Sequence, residues 1–370
     1  MNQTTSTEIK TIDRYVEHVS TVPAIAGQTM KQFLREKCSG DIAGRPDGHV
    51  DEGQVVLMIH GGFWPCSVAF DCPYPDYSWM EFLAKNGYDV FALDMTGHGR
   101  SALPLQADIN NLSPKERESL LPGVAGDTNE GASYPYCLAN SDSETADINA
   151  VVDFIRDLRG VDKVKLIGWS GGGIRVGTYA LAHPEKVERV VIWASSNYLP
   201  DGPDAPPSVM PAPGYPTLFQ SREFGENVRW RANIKCDGQV EDEALFDIVW
   251  RAGAEADPIG AQWGGLRGPT RTYWGWTRNG ASRFSIPALV MVGECDRLLE
   301  SNIDLYGDLG TPHKAFLRIA CASHFMMWER ARHIQRRTAL EWLDHGTLEG
   351  NPSGKFRANE QGQIAAISDD

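Results

Sequence analysis

At 370 residues, 42% of them hydrophobic and 23% charged, the chain has the composition of a globular protein with room for one large α/β domain carrying insertions, or for two domains. A formal net charge of −14 excludes nucleic acid and anionic membrane as expected partners, because both need clustered Lys and Arg; a small-molecule substrate remains, with a homo-oligomer open. The polar opening MNQTTSTEIKTIDRY lacks the apolar core of a signal peptide, and no apolar run approaches the roughly eighteen residues of a membrane span, so the expected location is cytoplasmic.

The first clear element is QVVLMIH (54–60), a continuous apolar run of the kind that forms a strand buried on both faces. YSWMEFLAKNG (77–87) reads as a helix closed by Gly87, and YDVFALD (88–94) as the next strand. Residues 102–143 are a long polar insertion, in which Ser113 and Pro114 have the pattern of an N-cap and first helical position. Ile148, Val151, Val152, Ile155 and Leu158 then fall on one helical face. VKLIG (164–168) is a strand followed by a helix from about Gly172, and VERVVIWAS (187–195) is another strand.

Residues 197–283 interrupt the alternation with a proline-dense opening and several tryptophans, and are expected to form a cap. The strands PALVMVG (287–293) and KAFLRIA (314–320) follow, then an amphipathic helix over about 328–343. Residues 351–370 read as a polar, disordered tail. The fold class is therefore α/β, a mostly parallel sheet with helices on both faces, its core spanning 14–196 and 284–350. Chemistry in such sheets gathers at the carboxyl ends of the strands. Seven cysteines in scattered positions read as reduced thiols, with Cys66 and Cys72 close enough in sequence to leave a bridge open.

One stretch carries the chemistry. In LIGWSGGGIRVG (166–177) a lone serine, Ser170, stands between glycines where a strand meets a helix. That context makes Gly-x-Ser-x-Gly a nucleophile elbow: Gly168 and Gly172 allow the turn, and the helix start points its N–H groups at a developing oxyanion. A serine hydroxyl needs a base, and the base an orienting carboxylate, each at a later strand end with the acid first. Asp296 in GECDRLLE and His324 in CASHFMMWE satisfy both order and placement, with Glu294 as the alternative acid. Oxyanion donors are expected from the N–H of Gly171 and, within HGGFWPC (60–66), from Gly62 or Phe63. His60, Asp94 and His98 read as supporting residues. Trp64, Trp169, Trp274 and Trp276 are candidate pocket residues, hinting at an apolar or aromatic substrate.

The set HGG (60–62), GHGRS (97–101), GWSGG (168–172), GECD (293–296) and SHF (323–325), in this order, resembles the α/β-hydrolase superfamily in its serine-nucleophile, esterase- or lactonase-like branch. The resemblance implies hydrolysis of a carboxylic ester or lactone through an acyl-enzyme, with no cofactor and no metal. Members that open epoxides or remove halogens carry an aspartate at the elbow, where this chain has Ser170. A carbon–carbon bond hydrolase with the same triad, or a receptor that keeps the fold with little turnover, remains as an alternative. Gly171, where relatives often carry a bulky residue, and the long insertion at 102–143 both depart from the common pattern.

Overall fold

The computed structural model describes residues 8–44, 48–120, 131–196 and 198–367. Part of the predicted 102–143 insertion, residues 121–130, therefore lies outside the described residues, as do Asn197 at the start of the expected cap and the last three residues of the expected tail.

Ten strands form one sheet. In chain order they are β1 (Ile9–Val19), β2 (Thr29–Ser39), β3 (Val55–Ile59), β4 (Asp89–Leu93), β5 (Val164–Trp169), β6 (Val187–Trp193), β7 (Ala288–Gly293), β8 (Lys314–Ile319), β9 (Gly354–Ala358) and β10 (Ile364–Ala366). Their spatial order is β1-β2-β4-β3-β5-β6-β7-β8-β9-β10. From β4 to β9 every neighbouring pair is parallel, while β1, β2 and β10 are antiparallel to their neighbours. This is the α/β-hydrolase fold expected from the sequence.

Helices cover both faces, so the central strands are buried on each side and need no alternation. Helices α1 (Trp79–Lys85) and α6 (Arg332–His345) bury Trp79, Leu83, Trp342 and Leu343 on one face. Helices α2 (Ser141–Arg159), α3 (Gly171–Ala182) and α5 (Leu299–Asp308) bury Ile148, Val151, Ile174, Val176 and Leu305 on the other. Between these, α4 (Leu245–Ala256) lies in the insertion after β6. The start of α2 is fixed by a reciprocal cap in which Asn140 Oδ1 accepts from Ser143 N–H and Ser143 Oγ accepts from Asn140 N–H. The same reciprocity at Ser113 and Glu116 opens the helix Pro114–Leu120, as its sequence predicts.

Two regions differ from expectation. Residues 351–367 are not a free tail: β9 pairs with β8, buries Phe356 and Ala358, and is joined by β10. Their polar composition is that of a sheet edge with one wet side. The hairpin β1–β2 carries no strand signal in its sequence, because Ile9, Ile12, Val16 and Val19 in β1, and Met30, Phe33, Leu34 and Cys38 in β2, neither run together nor alternate. The thiols also differ. Cys236 and Cys321 form a disulfide, whereas Cys66 and Cys72 are buried and unpaired with each other. The two bonded cysteines are 85 residues apart, a pairing that scattered spacing cannot reveal. No helix among the described residues is long and apolar enough to cross a membrane.

Candidate active site

Ser170 follows β5 directly and precedes α3, with φ 54° and ψ −118°. The turn is tight enough that a Cβ on Gly172 would overlap the Ile59 carbonyl, and one on Gly168 would overlap the Gly172 carbonyl. A Cβ on Gly171 would meet nothing closer than 3.7 Å, so the glycine that departs from the family pattern is not demanded by space. Backbone bonds hold the turn from outside: Ser170 N–H donates to Trp193 O at 3.0 Å, and Ser196 N–H donates to Ser170 O at 3.0 Å.

Asp296 and His324 meet at the ends of β7 and β8, with His324 Nδ1 at 2.9 Å from Asp296 Oδ2. The Asp296 side chain is fully buried, and its other oxygen accepts from Leu298 N–H at 2.9 Å. Glu294, the alternative acid, turns elsewhere. Arg357 on β9 donates to it at 2.6 and 3.0 Å, and Arg318 lies 3.0 Å away. Trp169 Nε1–H donates to His324 O at 3.1 Å and anchors the histidine loop over β5. Ser170 Oγ donates to Ser196 Oγ at 3.5 Å, and among the described residues no hydrogen bond joins Ser170 to His324. Both side chains line one cavity, and a nucleophile–base hydrogen bond commonly tightens only with substrate in place.

The expected oxyanion donors also converge. A Cβ on Gly171 would lie 3.8 Å from Gly62 N, and among the described residues neither Gly62 N–H nor Phe63 N–H donates to another backbone carbonyl. Phe63 takes φ 63°, turning the chain after the HGG segment. His60 does not face the cavity: Nδ1 bonds to Gly61 O at 2.7 Å and Nε2 accepts from Met95 N–H at 3.1 Å. Burial, together with the charge of Arg175, holds it well below the usual histidine range, so it is a neutral strut. Asp94 accepts from Cys66 N–H at 2.7 Å and Arg100 N–H at 3.0 Å, fixing the neighbouring loop.

Ser170, His324, Gly62, Phe63, Gly171, Trp64 and Trp169 share a cavity of 270 Å³ with residues that sequence reasoning missed: Ser196, Leu218, Gln220, Arg229, Arg271, Arg297 and Phe325. Of these, Arg297, adjacent to Asp296, and Phe325, adjacent to His324, had a sequence signal in their neighbours. Trp274 and Trp276 are not in this cavity. Trp276 is buried against Gly177, Tyr198 and Phe284, and Trp274 Nε1–H donates to Asp142 at 3.1 Å on a separate surface. Their expected role in the pocket is corrected: both pack against the core helices, the usual fate of a tryptophan.

The histidine loop is tied to the insertion after β6. Glu329, buried and raised above its ordinary value by that burial, accepts from Ser323 N–H at 2.9 Å, Gln239 Nε2–H at 3.0 Å and Trp230 Nε1–H at 3.1 Å. The Cys236–Cys321 disulfide joins the same two segments. Among the described residues Glu36, Cys38 and Asp89 could together hold a cation, but Arg159 already donates to both carboxylates, and the group lies outside the cavity.

A family model of the α/β hydrolase fold matches residues 54–233. The bifunctional epoxide hydrolase 2 of Sus scrofa is 24% identical over 331 residues, covering 79% of this chain; the chain spans about half, 52%, of that relative. Among solved structures, carboxylesterase CesB of Bacillus subtilis superposes with a TM-score of 0.54 at 14% identity, over 91% of this chain and 93% of its own. A thermophilic esterase of Thermogutta terrifontis gives 0.53 at 16% identity, over 90% and 98%. A meta-cleavage product hydrolase of Pseudomonas fluorescens gives 0.52 at 16%, over 90% and 98%. Together with the strand order and the strand-end placement of Ser170, Asp296 and His324, the family-model match and the superpositions show that the chain has the α/β hydrolase fold.

Proposed function

We propose that the chain is a serine hydrolase that cleaves a carboxylic ester or lactone through an acyl-enzyme. The observation that carries this reading is the Asp296–His324 hydrogen bond of 2.9 Å beside a serine held at φ 54° between a strand and a helix. Ser170 Oγ bonds to the substrate carbonyl carbon while His324 takes the hydroxyl proton. The amides of Gly171 and of Gly62 or Phe63 receive the negative charge that develops on the carbonyl oxygen. The carbon–oxygen bond to the alcohol breaks, and His324 returns the proton to the leaving oxygen. Water then attacks the acyl-enzyme by the same route and frees the acid and Ser170. Asp296 orients the imidazole and stabilises it when protonated. Epoxide opening fits less well, because Ser170 stands where the aspartate-elbow members place their nucleophilic carboxylate.

Intact-mass measurement after fluorophosphonate treatment tests this reading. A single adduct on the native chain that is absent from Ser170→Ala is expected. Labelling of both proteins to the same extent would remove Ser170 from the mechanism.

A further inference from the structure

Among the described residues, the cavity that holds Ser170 is lined by three guanidinium groups, Arg229, Arg271 and Arg297, and by no carboxylate. In a chain of net charge −14 this local excess of positive charge runs against the composition of the whole. Arg271 is compensated from behind, 3.2 Å from Glu144 and bonded to His98. Arg229 and Arg297 are different. Among the described residues no ion pair joins either the half-buried Arg229 or the exposed Arg297 to a carboxylate, whereas the buried Arg159, Arg175 and Arg267 are each paired with one.

Arg229 projects from a π-helix, Phe224–Trp230, a wide turn often found at functional sites. Its Nε is buried without a hydrogen-bond partner, and its guanidinium lies 5.3 Å from the centre of the Phe224 ring. Burial and the charge of Arg297 both push Arg229 below its ordinary value, as expected of two like charges that share no anion. Gln220 lines the same cavity at 4% exposure, and its Nε2 also lacks an acceptor. Unmet needs here are all for an acceptor, and a buried donor left without one is costly.

Resting on the hydrolase reading above, we infer that the cavity selects an ester or lactone bearing a free carboxylate, which Arg229 and Arg297 hold while Ser170 attacks the scissile carbonyl. A planar guanidinium pairs with a carboxylate through two parallel N–H···O bonds, which fixes position as well as charge. The 270 Å³ volume restricts the acid to a small one. The apolar or aromatic substrate suggested by the tryptophan content becomes one that also carries an anionic group, because Trp64 and Trp169 still line the cavity beside Phe63, Leu218 and Phe325.

The phenyl half-ester of fumaric acid and phenyl crotonate make a matched pair, differing in a carboxylate against a methyl group. The trans double bond prevents internal attack by the carboxylate. The ratio of kcat/KM, half-ester over crotonate, is expected to exceed about tenfold. Arg229→Gln and Arg297→Gln should each lower that ratio about tenfold, mainly through KM, with Arg229→Lys intermediate. Arg297 is exposed, so its variant carries the test if Arg229→Gln fails to fold. A ratio at or below one, or a ratio unchanged in both variants, overturns the carboxylate site and leaves the esterase reading standing. Calorimetric binding of fumarate to Ser170→Ala separates the two claims. Fumarate binding to Ser170→Ala that is lost on adding Arg229→Gln or Arg297→Gln, together with a native chain that cleaves neither ester, would keep the anion site and discard ester hydrolysis.

Discussion

Ser170 occupies a backbone region that non-glycine residues seldom adopt, at a cost of about 1–3 kcal/mol, and it persists because the surrounding turn leaves no alternative. The neighbouring glycines differ in how far they are constrained. Gly172→Ala forces a methyl group into the Ile59 carbonyl and should abolish activity and lower the melting temperature, whereas Gly171→Ala should melt close to the native chain. Calorimetry on the pair checks the contrast; equal destabilisation would mean that the elbow packs otherwise. At the histidine, Asp296→Asn should reduce kcat by about ten-thousand-fold, because the imidazole then takes the wrong tautomer. Glu294→Gln should cost little in rate, since Glu294 is committed to Arg357 and Arg318. A large loss in the second variant and none in the first would reverse the assignment of the acid. These residues were legible in the sequence because the elbow and the strand-end acid and histidine are each local patterns with fixed neighbours. Arg229 and Gln220 were not, because nothing local to them predicts that the insertion folds back over Ser170.

Between elements, the connection that matters most joins the insertion after β6 to the loop carrying His324. Cys236 and Cys321 tie it covalently, and Glu329 ties it through Ser323, Gln239 and Trp230. The disulfide closes a long loop, for which stabilisation of about 2–4 kcal/mol is typical. Cys236→Ser should therefore lower the melting temperature relative to the oxidised native chain. Reductant should lower the native chain to the same level and leave the variant unmoved. A native chain that melts identically with and without reductant would show that the bond contributes no stability in solution. The elements themselves were read with uneven success, for a physical reason. Strands β3 to β8 are buried on both faces and announce themselves as apolar runs, so their positions were clear within a residue or two. Strands β1, β2, β9 and β10 lie toward the sheet edges with one face partly wet, and their mixed composition resembles that of loops.

Across the whole molecule, the acidic surplus and the buried carboxyl groups both work against the native state as pH rises. The −14 surplus sits on a fold that also buries carboxyl groups whose pKa values lie far above the usual range. Burial raises Asp147 to about 7, aided by nearby Glu144 and opposed by Arg175, and burial raises Asp89 likewise to about 7. Between the ordinary carboxyl value near 4 and this folded value near 7, the native chain keeps a proton that the unfolded chain has released. The stabilisation from that proton is therefore present at low pH and fades as pH rises through the window. Once Asp147 ionises, its charge is buried among groups that do not fully compensate it. Asp147→Asn keeps the shape and removes the ionisation. Its melting temperature, relative to the native chain, should accordingly rise by about 5 °C between pH 5 and pH 8, as calorimetry across that range would show. A constant difference would mean that Asp147 carries the same charge throughout, with Arg175 and His18 neutralising it more completely than its burial suggests.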